Sequence, residues 1–314
     1  MNRFASSVRR VRPQSRCGHF AVAMLALWPT LAMGEAERAV VAGPGTRIIS
    51  VGAAITETLI ALGVGDRLVG IDTTSEPPPE AAAIARVGYL RSLGAEGLLS
   101  LSPSLVVVSE EAGPPAVLDQ VRAAGVACEV VAITAPRTDS STYALEAASR
   151  TIRRLAVLVG EPEQGETLVR TLQADLVSAK RSVAALGDQP AALFVVHPPR
   201  AGAALVAGVG TPADVMLTLA GARNVAGELE GYRPLTPEAA AMAAPDVVVV
   251  PVGTTAAAGG PVAFLEAAGL GLTPAARLGR VVEVEPWMLS FGPRTGRAVA
   301  ELAARLRSPG NGGR

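Results

Sequence analysis

The spacing of apolar residues along this chain switches between two patterns. Short runs of apolar residues at 47–51, 105–108 and 247–250 are typical of strands in a parallel sheet that is covered on both faces. Between such runs the apolar residues recur every three or four positions, which indicates helices packed on a core. Switching from one period to the other and back predicts an α/β fold.

Two segments share one pattern, which indicates an internal repeat. Within 96–108 a glutamate opens a helix, a proline follows seven residues later, and an all-apolar strand comes next. Residues 238–250 have the same order and the same spacing. Upstream, residues 57–70 and 214–227 each predict an apolar-faced helix, a glycine stop and a short strand. The repeat therefore predicts two similar Rossmann-like lobes with parallel sheets.

The segment between the two copies predicts a helical connection. Residues 141–187 carry apolar positions at helical spacing, broken at 160–162 by Gly-Glu-Pro. A helix of about 24 residues is about 36 Å long, enough to join two lobes stiffly. We therefore predict an N-terminal lobe over 47–140, linking helices over 141–187 and a C-terminal lobe over 190–307. The ligand cleft is expected between the lobes, beyond the carboxyl ends of the strands.

The first 34 residues have the features of a signal peptide. Five arginines precede an apolar stretch at 20–33 that is too short and too interrupted by proline for a membrane span, and small residues follow it. The alternative is a membrane anchor, and Arg9-Arg10 leaves twin-arginine export open. Cleavage after Gly34 predicts a periplasmic protein.

Composition excludes several classes of protein. The chain has 28 basic and 28 acidic residues, and removal of 1–34 leaves a net charge of −5, which argues against nucleic-acid binding. Two cysteines exclude a disulfide scaffold. After cleavage one cysteine (Cys128) and one histidine (His197) remain. Because zinc and manganese sites need several histidines and carboxylates, we do not expect such a site.

Three motifs resemble one family. They are VGYLRSLGAEG at 87–97, GYRPLTPE at 231–238 and FGPRTG at 291–296. Together with the two lobes and linking helix, they resemble the haem-binding branch of the periplasmic substrate-binding proteins that serve ABC transporters, in the helical-backbone class. The resemblance implies a monomeric, non-enzymatic protein that binds haem and delivers it to a dimeric import permease. Ferric siderophore and cobalamin binding proteins of the same class are the alternatives.

Tyr89 is the leading candidate for a ligand to the haem iron. It is expected in a loop facing the cleft, and tyrosinate is an established ligand of haem iron. A free phenol has a pKa of about 10; ferric iron favours its deprotonation, and Arg91 is placed to support the anion. The resemblance implies these same roles for Tyr89 and Arg91. The alternative is a half-buried tyrosine whose hydroxyl bonds to backbone.

Three further residues are candidates on the C-terminal lobe. His197 is expected at a strand end, where Pro198-Pro199 stops the strand, and is a possible second iron ligand opposite Tyr89. Tyr232 and Arg233 occupy the second copy's equivalent of Tyr89 and Arg91. Arg233 would pair with a propionate of haem by bidentate hydrogen bonds, and Tyr232 would stack on the macrocycle or simply pack. Tyr143 falls in the linking helix and is set aside.

Four more residues complete the predicted binding and docking surfaces. Trp287 and Met288 follow a strand and are candidates for an apolar wall over the porphyrin, with core packing as the alternative. Glu96 and Glu238 each lie in the first turn of a helix, where an anion is favoured by the helix dipole. The resemblance implies that one such glutamate per lobe docks onto the two permease subunits.

The remote alternative is an exported dinucleotide-dependent enzyme. Residues 208–213 (GVGTPA) match G-x-G-x-x-A between an apolar run and a helix. The first copy lacks these glycines, and exported proteins rarely keep a diffusible nicotinamide cofactor. No G-x-S-x-G or phosphate-loop motif is present.

Overall fold

A five-stranded parallel sheet forms the centre of the N-terminal lobe in the computed structural model, which describes residues 42–43, 45–76, 84–133, 140–200 and 203–308. The predicted signal peptide lies outside these residues. The strands are β1 (Ile48–Val51), β2 (Leu68–Ile71), β3 (Ala85–Arg86), β4 (Leu105–Ser109) and β5 (Ala127–Val131), ordered β3-β2-β1-β4-β5. Helices α1 (Ala53–Ala61), α2 (Ala95–Leu99) and α3 (Pro115–Ala123) connect them. Every residue of β1 and β4 is buried, because helices cover both faces of the sheet.

Two long helices follow the first sheet. They are α4 (Ser140–Val159) and α5 (Pro162–Ala184), separated at the predicted Gly-Glu-Pro break. The proline at 162 is in the first turn of α5, where its missing N–H leaves no hydrogen bond unmade. The helices approach closely at Gly165, where a Cβ atom would lie 2.4 Å from Cβ of Ala156.

The C-terminal lobe contains a mixed sheet. Its strands are β6 (Ala191–Arg200), β7 (Ala203–Ala207), β8 (Arg223–Asn224), β9 (Tyr232–Leu235), β10 (Val247–Pro251) and β11 (Val281–Val284). The order is β11-β10-β6-β7-β9, with β8 also beside β6. The helices are α6 (Pro212–Leu219), α7 (Pro237–Ala243), α8 (Thr254–Ala257), α9 (Pro261–Ala267), α10 (Pro274–Leu278) and α11 (Thr295–Arg307).

The second sheet differs from the wholly parallel sheet that the repeat predicted. Strands β6, β8, β10 and β11 are parallel neighbours, but β7 runs antiparallel to both β6 and β9. The prediction that Pro198-Pro199 stops the strand is also wrong, since β6 continues to Arg200. Its pairing with β7 shifts register on both sides of His197, and prolines are tolerated in such irregular pairings.

Helix α4 joins the hydrophobic cores of the two lobes. Its N-terminal half, with Ala144, Ala148 and Ile152, belongs to the core that also contains α6, α11 and the second sheet. Its C-terminal half, with Leu155 and Leu158, packs into the core of the first sheet and α1. Consistent with this sharing, the described residues of both lobes belong to one compact unit. None of the helices in the described ranges has the length and apolarity required to cross a membrane.

Candidate functional site

A cavity with a volume of about 230 Å³ lies between the lobes. The N-terminal lobe contributes residues that directly follow its strands, as expected for a site at the carboxyl ends of a parallel sheet. The C-terminal lobe contributes the start of α6, the start of β9 and the turn after β11, and α4 contributes one tyrosine. The lining residues are Gly52, Ala53, Ala54, Thr74, Leu90, Arg91, Ser109, Glu110, Glu111, Ile133, Tyr143, Pro212, Tyr232, Pro286, Leu289, Ser290 and Phe291.

An ion pair lies on the N-terminal side of this cavity. Arg91 Nη2 donates to Glu111 Oε2 over 2.6 Å, and 58% of the arginine side chain and 51% of the glutamate side chain remain exposed. The hydrogen bond to Glu111 is the main cause that raises the pKa of Arg91, and Tyr89 and Tyr232 add smaller electrostatic contributions. Arg91 therefore lies within electrostatic range of both predicted tyrosines. Tyr89 itself is 48% exposed, in the loop after β3, next to the lining residue Leu90.

Tyr232 faces the ion pair from the other lobe. It begins β9 and lines the cavity. Burial is the largest cause that raises its pKa; the charge of Glu111 and the nearby Tyr143 raise it further, while Arg91 lowers it. The phenol of Tyr232 is thus neutral at neutral pH, and its surroundings do not favour the phenolate.

Phe291 forms an apolar part of the wall with an unusual backbone conformation. Its φ is +44°, a left-handed value that is rare for a bulky residue, and its side chain is buried. The ring meets Tyr143 edge to face, with centroids 5.5 Å apart. Glu57 on α1 holds the same turn, because its Oε1 accepts a 2.7 Å hydrogen bond from the backbone N–H of Arg294. The wall of the C-terminal lobe is thereby fixed by residues of α1 and α4.

The structure places Trp287 and Met288 in the core and not on the cavity wall. Their exposed fractions are 8% and 1%, and both pack among the side chains of α6 and α11. Trp287 also lies under the Arg294 guanidinium, 4.2 Å from ring centroid to Cζ. They belong to a short 3₁₀ turn, Pro286–Leu289, whose first and last residues line the cavity while its middle residues point inward.

His197 and Arg233 do not line the cavity either. His197 is an exposed residue within β6, opposite Leu205 of β7. Arg233 follows Tyr232 in β9, and because successive side chains of a strand point to opposite faces, it points away from the face that Tyr232 presents. The role of His197 as an iron ligand and the pairing of Arg233 with a propionate both stay predictions.

Glu96 and Glu238 occupy equivalent places on the two lobes. Both are exposed, in the first turns of α2 and α7 respectively. Thr236 already caps α7 by accepting from Ala239 N–H. Capping of that helix therefore does not depend on Glu238.

The glycine-rich loop at 208–213 is not arranged to hold a dinucleotide. Gly208 N–H and Val209 N–H donate to the carbonyls of Gly231 and Leu229, at 2.8 and 2.7 Å. The Asp214 carboxylate accepts from Gly210 N–H at 3.2 Å. The loop donors that a phosphate would need are thus bound by the chain itself.

Among the lining residues that sequence reasoning missed, four are charged or aromatic. Glu110 and Glu111 directly follow β4, so the rule that sites form at the carboxyl ends of parallel strands would have found them. Tyr143 was set aside as a linking-helix residue, yet it lines the cavity because the start of α4 lies between the lobes. Phe291 was part of a quoted motif but had no assigned role. In the described part of the chain, no group of three or more His, Cys, Asp or Glu is placed to hold a metal ion.

Comparison with known proteins identifies one family whose model matches this chain. A model described as periplasmic binding protein matches residues 48–286. Among solved structures, the chain is similar to the periplasmic heme-binding protein RhuT from Roseiflexus sp. RS-1 in apo form. The two are 36% identical, with coverage of 83% of this chain and 97% of that chain and a TM-score of 0.76.

Two curated relatives are more distant. The uncharacterized ABC transporter substrate-binding lipoprotein YvrC of Bacillus subtilis (strain 168) is 26% identical over 264 residues, which cover 83% of this chain and 79% of that protein. The vitamin B12-binding protein of Vibrio cholerae is 28% identical over 151 residues, 48% of this chain and 51% of that protein. The chain thus spans about half the length of this second relative.

Proposed function

Because the chain belongs to the periplasmic binding protein family, we propose that it binds haem outside the cytoplasm and delivers it to an ABC-type import permease. The observation that carries the proposal is the cleft itself, lined by Arg91 on one lobe and Tyr232 on the other, with the half-exposed Tyr89 next to the lining residue Leu90. The similarity to the heme-binding protein RhuT over nearly the whole of that protein supports haem over the related ligands. In this proposal the protein is a carrier and breaks no bond.

Tyr89 is the residue that would bind ferric iron, through its phenol oxygen. It is half exposed beside the cavity, so a ligand in the cleft can reach it without unfolding the loop. Deprotonation of the phenol is driven by the ferric iron, since a bound metal cation stabilises an anionic ligand. Arg91, two residues away and within electrostatic range, stabilises that anion further.

The C-terminal lobe would hold the porphyrin by its flat faces. Leu289, Phe291 and Pro286 supply apolar surface to the cavity, and Tyr232 supplies an aromatic ring opposite Arg91. Burial of apolar area in such a wall contributes about 25 cal/mol for each Å² removed from water. Iron binding and porphyrin binding are then divided between the two lobes.

The test of the function is a titration of the purified protein with hemin, followed by the Soret band. We expect a saturable shift of the band. The Tyr89→Phe variant should lose the ferric-phenolate spectrum and bind at least about tenfold more weakly, which corresponds to about 1.4 kcal/mol. Tyr232→Phe is the matched control, which removes the same hydroxyl from the opposite lobe and should keep the iron spectrum.

Cobalamin is the alternative ligand, supported by the relative that binds vitamin B12. A parallel titration with cyanocobalamin, followed by tryptophan fluorescence, separates the two. Tighter binding of cyanocobalamin than of hemin, or an unchanged Soret band in the wild-type protein, would overturn the haem assignment.

Delivery to the permease would use Glu96 and Glu238. One exposed carboxylate on each lobe suits recognition by a partner with two-fold symmetry. In proteoliposomes containing the transporter, the double variant Glu96→Gln/Glu238→Gln should abolish haem uptake and leave hemin affinity unchanged. Reduced hemin affinity in this variant would show that the carboxylates maintain the fold and do not dock. Export through the N-terminal signal peptide, with residence in the periplasm, belongs to the same proposal.

A further inference from the structure

The hydrogen-bond partner of Arg91 in the structure is a carboxylate of the protein itself, that of Glu111. Glu111 lies in the loop after β4, twenty residues beyond Arg91, so the ion pair ties two separate loops of the N-terminal lobe. Its 2.6 Å length is that of a strong charge-assisted hydrogen bond. Both side chains are part of the cavity wall. The guanidinium that the proposed function assigns to Tyr89 is therefore already engaged before any ligand arrives.

The Arg91–Glu111 ion pair can be broken at low cost, which allows Arg91 to change its partner. More than half of each side chain is exposed, and an exposed ion pair stabilises a protein by only about 0–1 kcal/mol. Tyr89 and Tyr232 are both close enough to act on the Arg91 charge. A new anion formed at Tyr89 would thus compete with Glu111 for the same guanidinium.

We propose that Glu111 is the resting partner of Arg91 and gives it up to the Tyr89 oxygen when ferric haem binds. The inference rests on the proposed function, and it adds a residue that determines affinity. Glu111 lowers the affinity for ferric haem, because binding must first break the Arg91–Glu111 pair. Removal of haem restores the pair, which favours release of the ligand.

The test is a set of hemin affinities for charge-neutral variants. Glu111→Gln removes the competing charge and should bind hemin about two- to fivefold more tightly than wild type, the range that an exposed ion pair allows. The matched control is Glu266→Gln, which removes an exposed carboxylate from α9 on the other lobe. This control should leave hemin affinity unchanged.

Two further arms show whether Glu111 acts through Arg91 and the iron. In an Arg91→Ala background, Glu111→Gln should have no effect, as required of two residues that act as one pair. Iron-free protoporphyrin IX carries the same propionates but forms no iron-bound phenolate. Glu111→Gln should therefore leave protoporphyrin affinity unchanged.

Three results would overturn the proposal, namely no gain in hemin affinity for Glu111→Gln, a gain that persists without Arg91, or an equal gain for protoporphyrin. The last would mean that Glu111 simply repels the propionates. Thermal unfolding of each variant shows whether it is folded. Failure of wild-type protein to shift the Soret band would instead reject the haem function itself, so the two failures are distinct.

Discussion

On the N-terminal side of the cleft the wall carries Arg91, Glu110 and Glu111, whereas the C-terminal side presents mainly Leu289, Phe291 and two prolines. The first surface is charged and half exposed, and the second is largely apolar. The sequence repeat gives both lobes the same outer plan, in which a glutamate-led helix precedes a buried strand (α2–β4 and α7–β10). Similar scaffolds thus carry different walls, and the difference lies in the loops.

The position of the two tyrosines illustrates this divergence. Tyr89 follows a parallel strand, in a loop that is free to present a side chain to a ligand. Tyr232 begins an antiparallel strand and is held by pairing with Ala207. In the proposed function the iron is bound by Tyr89 from this loop, while the paired strand supplies a surface for the porphyrin. We therefore expect changes to the N-terminal wall to affect iron binding most.

Each lobe also anchors its first cleft loop with a buried aspartate, but by different networks. In the N-terminal lobe, Asp72 accepts from Gly52 N–H at 2.9 Å, from Ser75 Oγ at 2.6 Å, and from both the N–H and the hydroxyl of Thr74. Gly52 and Thr74 line the cavity. One fully buried carboxylate thus holds two loops of the binding surface.

Asp72→Ala is expected to have the largest effect on stability. It removes the acceptor of four donors. Ser75 Oγ keeps Thr56 Oγ1 at 2.8 Å and Thr74 is part-buried, whereas the buried N–H of Gly52 is left unpaired, at a cost of about 1–3 kcal/mol. With the hydrogen bonds that the other donors lose, we expect a loss of about 3–4 kcal/mol in the free energy of unfolding. Urea denaturation measures it. Asp72→Asn keeps one acceptor oxygen and should lose less. A loss below about 1 kcal/mol for Asp72→Ala would show that water replaces the carboxylate.

The matched change in the other lobe is Asp214→Ala. Among the described residues, Asp214 accepts from two donors, Gly210 N–H at 3.2 Å and Asn224 Nδ2 at 2.9 Å. Its loop is held independently by backbone hydrogen bonds from Gly208 and Val209. We therefore expect a smaller loss, about 1–2 kcal/mol by the same denaturation assay. Equal losses for the two aspartates would mean that the lobes anchor their loops equivalently.

The periodic features of the fold were predictable from the sequence. The repeat of a glutamate-led helix before a buried strand and the helix break at 160–162 depend on local spacing, glycine and proline, and the structure confirms them. Strand direction is not local. Whether β7 pairs parallel or antiparallel depends on which strand lies beside it, and the apolar pattern of Ala203–Ala207 is compatible with either.

The site was predictable only in part, for a similar reason. Arg91 and Tyr232 were expected at the cleft and line it. The role of Glu111 depends on its ion pair with Arg91, and local sequence spacing does not reveal a contact between residues that are twenty positions apart. Trp287 was predicted on the cavity wall because it follows a strand. It lies in a 3₁₀ turn, where side chains three residues apart share a face, so Pro286 and Leu289 face the cavity and Trp287 packs in the core. Contacts between loops decide these positions.

The smallest expected effect concerns the ion pair between Glu57 of α1 and Arg294, at the start of α11. Glu57 Oε1 lies 3.2 Å from Arg294 Nε, and only 10% of the glutamate side chain is exposed. Burial raises the pKa of Glu57 above its ordinary value of 4.5, more than Arg294 lowers it. The folded protein therefore holds this proton to a higher pH than the unfolded chain does. By linkage, the contribution of Glu57 to stability is fully present below pH 4.5 and is lost as pH rises through the folded pKa.

Glu57→Gln removes this titration and keeps the shape of the side chain, including an oxygen that can accept from Arg294 N–H. The stability of the wild-type protein relative to Glu57→Gln should therefore fall as pH increases from 4.5. Urea denaturation at several pH values measures the difference. A wild-type advantage that grows with pH would mean that attraction to Arg294 outweighs burial. The contact between α1 and the α11 turn would then be an electrostatic clamp on Phe291, and the two lobes would share a charged connection as well as the apolar one through α4.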